Sequence, residues 1–284
     1  MPSLNNHQSN DFVKILLIGD AQSGKTGSLC SLVKAGYKLR ILDLDNKLDV
    51  LKYFVQHECP DKISNVEFRT IRDRYQMTAA GPMISGMPKA FIETIKLLDK
   101  WEDLGKPADW GSDTILVVDS LSRFCDSAYD WRLPLAPKGK SGEIDTRAVY
   151  GDAQDAVEQT LATLTSDGFR TNVIVICHVA YIDLPDGTRK GFPQGVGQKL
   201  SPKIPQYFPS SIYYTTKGGK RSIQTVSTAL IDLANPAPFA MKDSYDIKTG
   251  LAEFFAVLRE PPKSNNVQTT VTKVQPLAQP TRRM

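Results

Sequence analysis

Long apolar runs are missing from this 284-residue sequence. No stretch approaches the ~18 consecutive apolar residues of a membrane-spanning helix, so a spanning segment is excluded from the reading. Met1 to Asp11 are polar and lack the apolar core of a secretory signal, and they are expected to be disordered. Cysteine is sparse. Cys30, Cys59, Cys125 and Cys177 stand apart with no paired metal-ligand spacing, which reads as reduced thiols in a cytoplasmic protein. Of the three histidines, His7 and His57 belong to no constellation. Acidic residues are absent from 261–284, where Lys263, Lys273, Arg282 and Arg283 account for the whole net charge of +4. Residues 1–260 are therefore neutral, which argues against a strongly electropositive nucleic-acid binder while leaving room for local basic loops. The tail has too little apolar content to join a core and is expected to be disordered, leaving 12–260 as the folded domain.

At 41% hydrophobic and 23% charged residues the composition is that of an ordinary globular protein, and the length suits one large α/β domain or two small ones. Apolar runs of strand length recur: 13–18, 39–45, 114–119 and 172–178. A shorter alternating strand is expected over 66–71, and a hairpin over 211–216 and 222–226 around Lys217-Gly218-Gly219-Lys220. Helices are expected over 27–35 (closed by Gly36), from 46 to about 57, and over 89–104, 146–166 and 249–259. Gly and Pro mark 72–88, 134–142 and 183–197 as loops. Buried strands alternating with helices predict a mostly parallel sheet covered on both faces, which binds ligands at the C-terminal edge of its strands.

The chemistry converges on that edge. Gly19-Asp20-Ala21-Gln22-Ser23-Gly24-Lys25-Thr26 reads G-x-x-x-x-G-K-T, the phosphate-binding loop, set between an apolar strand and a helix start. Backbone N–H groups and the helix dipole there face an anion; Lys25 reaches the β- and γ-phosphates of ATP, and Thr26 ligates Mg²⁺. Asp119 ends an apolar strand and suits the Mg²⁺ shell opposite Thr26. Asp43 and Asp45 end the second strand, with a spacing that puts both on one face. Asp45, the outer one, is the candidate to activate water for hydrolysis; the other reading is a strand terminus or helix cap. His178 ends a strand and suits a γ-phosphate sensor, against the reading of a satisfied buried histidine.

Together these residues resemble the RecA core over roughly residues 12–245. Asp45 falls on the position of the catalytic glutamate of RecA-type recombinases. Leu116-Val117-Val118-Asp119-Ser120 is close to the family's Walker B strand, and Val173 to His178 matches the strand ending in its phosphate-sensing Gln. Asp for Glu at 45 and His for Gln at 178 are departures. So is the lack of segments matching the family's N-terminal polymerisation domain and large C-terminal domain. The pared-down pattern looks like phage-encoded RecA-like proteins, among them single-strand annealing proteins. The resemblance implies a RecA-like P-loop ATPase with a C-terminal β-hairpin, forming a homo-oligomeric ring or filament. It also implies binding of single-stranded DNA through Lys138 and Lys140 in a first loop and Arg189 and Lys190 in a second. A basic residue from a neighbouring subunit completes such sites, the candidates being Lys217, Lys220, Arg221 and Lys242. The other reading is an NTPase motor or regulator acting on protein partners or in DNA packaging.

Overall fold

The computed structural model describes residues 12–138 and 142–259. The segments 1–11 and 261–284, expected to be disordered, lie outside the described residues, as does Lys140. In chain order the first half comprises β1 (Lys14–Gly19), α1 (Lys25–Ser28), α2 (Cys30–Lys34), β2 (Lys38–Asp43), α3 (Asp49–Glu58), β3 (Val66–Thr70), β4 (Tyr75–Thr78), β5 (Gly81–Ile84), α4 (Ala90–Asp99), β6 (Gly111–Asp119) and α5 (Leu121–Arg132). The second half comprises α6 (Thr146–Thr165), β7 (Thr171–Cys177), β8 (Val179–Asp183), β9 (Arg189–Pro193), α7 (Gly197–Leu200), β10 (Ser210–Lys217), β11 (Lys220–Gln224), β12 (Ser244–Asp246) and α8 (Gly250–Arg259).

Eight strands form one sheet in the order β12-β11-β10-β1-β7-β6-β2-β3. The six from β10 to β3 are parallel, and β11 and β12 add antiparallel at one edge. The parallel strands are apolar on both sides because both sides are covered. Leu16, Ile18, Leu116, Val118, Val173 and Val175 pack on one face with Phe91 of α4, Phe124 of α5 and Leu161 of α6. Ile15, Leu17, Ile115, Val117, Ile174 and Ile176 pack on the other with Leu32 of α2, Leu51 of α3 and Phe254 of α8. The period of two along each strand thus feeds two separate cores.

Several expectations change in detail. The second strand stops at Asp43, so Asp45 lies beyond it and does not share its face. The helix from 89 stops at Asp99, because Lys100 is extended and Trp101 pairs with Gly105 in a tight turn. The segments 72–88 and 183–197 are not plain loops: each holds a two-stranded ribbon, β4–β5 and β8–β9. Gly81, Pro82 and Gly187 suggested loops, but ribbon turns and edge strands tolerate these residues. The helical run after the P-loop is divided at Leu29 and ends as expected at Gly36, where φ is +98° and Tyr37 N–H donates to the Leu32 carbonyl at 3.1 Å. All four cysteines are free and buried.

Lys14 is a basic side chain buried inside this core. Lys14, on β1, donates to the carbonyls of Phe169 at 2.6 Å and Thr171 at 2.7 Å, with its ammonium 4.8 Å from the Phe169 ring centroid. Burial pushes its pKa down from 10.5 to about 7, against a weaker pull upward from Asp167. Between these two values the unfolded chain holds a proton that the folded chain has released. Stability therefore rises with pH across that window, and the penalty is complete below it. Lys14→Met removes the titrating group but leaves two carbonyls unpaired, a pH-independent loss of about 1–3 kcal/mol. Calorimetry from pH 7 to 10 should show the wild-type thermal midpoint rising relative to that of Lys14→Met. Parallel curves would show that Lys14 keeps an ordinary pKa.

Candidate functional site

The parallel strands aim their C-terminal ends at one place. Because β7 lies between β1 and β6, the P-loop after β1 has the end of β7 beside it and the end of β6 next along. Residues 93 apart in the chain then meet: the Thr26 hydroxyl donates to Asp119 Oδ2 at 2.7 Å. Burial pushes the Asp119 carboxyl up to about 6, with the Thr26 hydrogen bond and Lys25 opposing and Asp45 and Asp43 adding to the rise. The Asp119–Ser120 peptide is cis.

The P-loop fits tightly against the sheet. A Cβ on Gly19 would stand 2.8 Å from both the Tyr214 carbonyl on β10 and Ser23 Oγ, so this position takes no side chain without movement. Lys25 is buried and donates to the carbonyls of Gly19 at 2.7 Å and Asp20 at 2.8 Å. Burial lowers its pKa, while Cys177, Asp119, Asp20 and Asp45 raise it in smaller measure.

Asp45 and Asp43 have different surroundings. Asp43 is buried and accepts from the Asn46 N–H at 2.7 Å, the Lys47 N–H at 3.4 Å and the Thr70 hydroxyl at 3.2 Å. It holds the turn after β2, and burial leaves its carboxyl above the usual range despite these donors. Asp45 is held at the edge by the Asp119 carbonyl, which accepts the N–H groups of Leu44 at 2.7 Å and Asp45 at 3.3 Å. Its Oδ2 lies 3.8 Å from His178 Nε2 and its Oδ1 lies 3.5 Å from Arg123 Nε. Burial alone would raise the Asp45 pKa, but His178, Ser120 and Arg123 together hold it below the ordinary value. The His178 N–H donates to Ser122 Oγ at 3.1 Å, and its buried Nδ1 has no partner among the described residues.

The oxygen pair Thr26–Asp119 suits Mg²⁺, which takes one or two protein oxygens and keeps its other positions for phosphate and water. Among the described residues no group of three or more His, Cys, Asp or Glu gathers as a separate metal site. On the other side of the P-loop, away from Asp119, a cleft of about 730 Å³ runs between Asp20–Ser23 and β10–β11, with Arg221 and Ile247 on its wall.

The remaining predicted residues are dispersed. Arg221 stands against the P-loop of its own chain, where a Cβ on Gly24 would meet its Cδ at 3.4 Å. Lys217 and Lys220 face one another at the hairpin tip. Lys242 is engaged with Glu253 at 2.7 Å. Lys138 is exposed and bridges to Ile144. Arg189 packs over the Tyr181 ring at 5.3 Å, and Lys190 is paired with Asp232. Both sit on β9, in a ribbon rather than a loose loop.

Sequence reading missed Arg123, Ser122 and the link from Tyr181 to the P-loop, and it named Ser120 only as part of the Walker B strand. The Tyr181 hydroxyl lies 3.5 Å from Asp20 Oδ2 and 3.3 Å from the Tyr213 hydroxyl. Arg123 had a signal: Ser120 caps α5 by accepting from the Arg123 N–H, which places that residue in the first turn beside Asp119.

A family model described as "AAA domain" matches residues 11–233. No curated protein matches the sequence. Among solved structures, the chain is similar to the RadB recombinase at 15% identity, covering 84% of this chain and 89% of that one with a TM-score of 0.45. An ATPase from the type III secretion system of pathogenic bacteria is similar at 13% identity, covering 80% and 57% with a TM-score of 0.43. The assembled ATPase EscN of enteropathogenic E. coli, in complex with its central stalk EscO, is similar at 13% identity, covering 72% and 42% with a TM-score of 0.40.

The fit at Gly19 sets a testable cost. Gly19→Ala should lower unfolding free energy by ~1–3 kcal/mol, because the obstacle includes a backbone carbonyl that cannot rotate away. Urea unfolding measures this, and an unchanged midpoint and slope would show that β10 gives way freely.

Proposed function

Because the chain belongs to the AAA domain family, with a RecA-like P-loop ATPase core, we propose that it is a phage-type recombination protein. In this reading it binds Mg²⁺ and ATP, binds single-stranded DNA, and promotes annealing or pairing in the cytoplasm, with hydrolysis controlling its assembly. The observation that carries the ATPase part is the contact between Thr26 and Asp119, with Asp45 and His178 on the same strand edge. Mg²⁺, held by Thr26 and Asp119, supplies charge neutralisation at the transferring phosphate.

The chain's own groups divide the remaining work. Gly19 to Thr26 cradle the phosphates through backbone N–H groups, and Lys25 turns from the Gly19 and Asp20 carbonyls toward the β- and γ-oxygens. The nucleoside lies in the cleft toward Arg221 and Ile247, a space within the usual ~300–1,000 Å³ of small-molecule sites. Asp45 accepts a proton from the attacking water, and its lowered pKa keeps it ionised for that task. His178 presents a ring nitrogen to the γ-phosphate and leads directly into β8–β9, so nucleotide state reaches Arg189 and Lys190. A second route runs from Asp20 to Tyr181.

The DNA part rests on Lys138, Lys140, Arg189 and Lys190, with Tyr181 and Phe192 as stacking surfaces. The ion pair of Lys190 with Asp232 favours the other reading, an NTPase motor or regulator working on protein partners or in DNA packaging. One experiment separates them. Single-stranded DNA should stimulate ATP hydrolysis by the full chain. Replacing the four basic residues by Ala should remove that stimulation, with ATP affinity unchanged. It should also reduce the salt dependence of DNA binding by about 0.7 in log–log slope for each phosphate that is no longer neutralised. Hydrolysis indifferent to DNA would favour the protein-partner reading.

A further inference from the structure

The edge that gathers the site carries another charged side chain, and the mechanism above gives it no task. Arg123 sits in the first turn of α5, the helix that starts directly after Asp119 and Ser120. Its backbone is fixed. The Arg123 N–H donates to Ser120 Oγ at 3.4 Å, the Phe124 N–H donates to the Ser120 carbonyl at 3.0 Å, and the neighbouring Leu121 and Phe124 are buried. Its guanidinium is held far more loosely. The side chain is 62% exposed, with Nε 3.5 Å from Asp45 Oδ1 and Nη1 3.3 Å from Asp126 Oδ2. Ion pairs this open to water contribute little, so the guanidinium leaves them easily. A fixed base with a loosely held cationic tip is an arrangement that an incoming phosphate can recruit.

The proposed chemistry needs a cation at this spot. Asp45 faces the attacking water as a carboxylate, which sets one anion beside another, the γ-phosphate, and the two repel. Among the described residues Asp45 has two ion-pair partners, Arg123 and His178. Of these, only the guanidinium is charged at every working pH. Negative charge is also spread over the γ-phosphoryl oxygens as the bond to the β-phosphate breaks. Lys25 and the Thr26–Asp119 pair meet that charge from the P-loop, and Arg123 faces it from the Asp45 side. Within one chain the other basic candidates stand elsewhere. Arg221 lines the cleft on the far side of the P-loop, Lys217 and Lys220 face each other at the hairpin tip, and Lys242 is engaged with Glu253.

We propose that Arg123 is a catalytic residue of ATP hydrolysis and that it acts within its own chain. When ATP fills the site, the guanidinium releases Asp126, stays beside Asp45 and donates to γ-phosphate oxygens. Its planar fork serves a carboxylate and a phosphate oxygen together, which the point charge of a lysine does less well. The covalent step keeps its balance. The water oxygen bonds to the γ-phosphorus, the bond from phosphorus to the bridging oxygen breaks, its electron pair leaves with ADP, and the water proton passes to Asp45. Arg123 forms no covalent bond and keeps its proton; it neutralises charge. The chain then supplies the cation that the resemblance implied would come from a neighbouring subunit. The role of Arg123 rests on the ATPase reading proposed above, and hydrolysis by wild type tests that reading on its own.

Titration calorimetry of the full chain with Mg²⁺–ADP, alone and with fluoroaluminate as a mimic of the transferring phosphoryl group, provides the test. Wild type should bind the fluoroaluminate complex ~10²-fold or more tightly than ADP alone, as a site built for a transition state does. Arg123→Ala should keep wild-type affinity for ATP and ADP and lose most of that gain. Its single-turnover hydrolysis should fall by at least ~10²-fold. Arg123→Lys should recover part of both losses. Asp126→Asn removes only the resting partner and should keep hydrolysis within a few-fold of wild type. Arg123→Ala and Lys25→Ala mixed in equal amounts should stay as inactive as either alone, because every site then lacks one of its own groups. A folded Arg123→Ala that retains the full fluoroaluminate gain would overturn the catalytic role. So would an equal loss in Asp126→Asn, which would mark the ion pair as structural. Recovery of hydrolysis in the mixture would overturn the assignment of Arg123 to its own chain.

Discussion

The hydrogen bond between Thr26 and Asp119 joins the two halves of the site, and it spans β7, which lies between β1, leading into the P-loop, and β6, ending in Asp119. Parallel pairing of β1 with β7 and of β7 with β6 sets Ile18 beside Cys177 and Asp119 beside Ile176. From that register the P-loop, Asp119 and His178 fall on one edge, and pairing of β2 with β6 adds Asp45 through the Asp119 carbonyl. A slip of one residue in any of these pairings would turn the apolar side chains to the wrong cores, so the registry of the site is enforced by burial on both faces.

That burial creates the electrostatics. Lys25, Asp43 and Asp119 are nearly excluded from water, and Asp45 is nearly so at its side chain. Each therefore depends on fixed partners. Asp43 is satisfied by local donors and serves the turn. Asp119 has one hydroxyl donor and a carboxyl raised to about 6, a group whose charge is better balanced by a cation. Asp45 has Arg123 beside one oxygen and His178 beside the other, and these neighbours hold its carboxyl below the ordinary value. Three carboxylates on one edge thus acquire three different characters from their neighbours, and two of them, Asp119 and Asp45, lie within electrostatic reach of Lys25.

The sheet was legible because its strands are buried on both faces and read as unbroken aliphatic runs. The P-loop was legible because phosphate binding demands its glycines, lysine and threonine at fixed spacing. The two ribbons were not: Gly81, Pro82 and Gly187 mark turns whether or not strands flank them, and exposed strands such as Tyr75–Thr78 give no aliphatic run. The end of β2 was overrun by two residues because Asp43 caps the turn through its side chain, a contact that periodicity does not carry. Arg221 suggested action on a neighbour, yet the β10–β11 pairing folds it back onto its own P-loop. Lys190 offered a free charge in sequence and has Asp232 beside it in space, 42 residues on by the numbering.

In the proposed mechanism it is Asp45, not Asp43, that handles the proton of the attacking water. Single-turnover hydrolysis of bound ATP by Asp45→Asn and Asp43→Asn, with ATP affinity measured on the same samples, tests this most directly. Asp45→Asn should bind ATP as wild type does and lose at least ~10²-fold in rate, the scale of a missing general base. Asp43→Asn should lose stability but keep hydrolysis within a few-fold of wild type. Retained hydrolysis in Asp45→Asn, together with its loss in a folded Asp43→Asn, would contradict that division of roles.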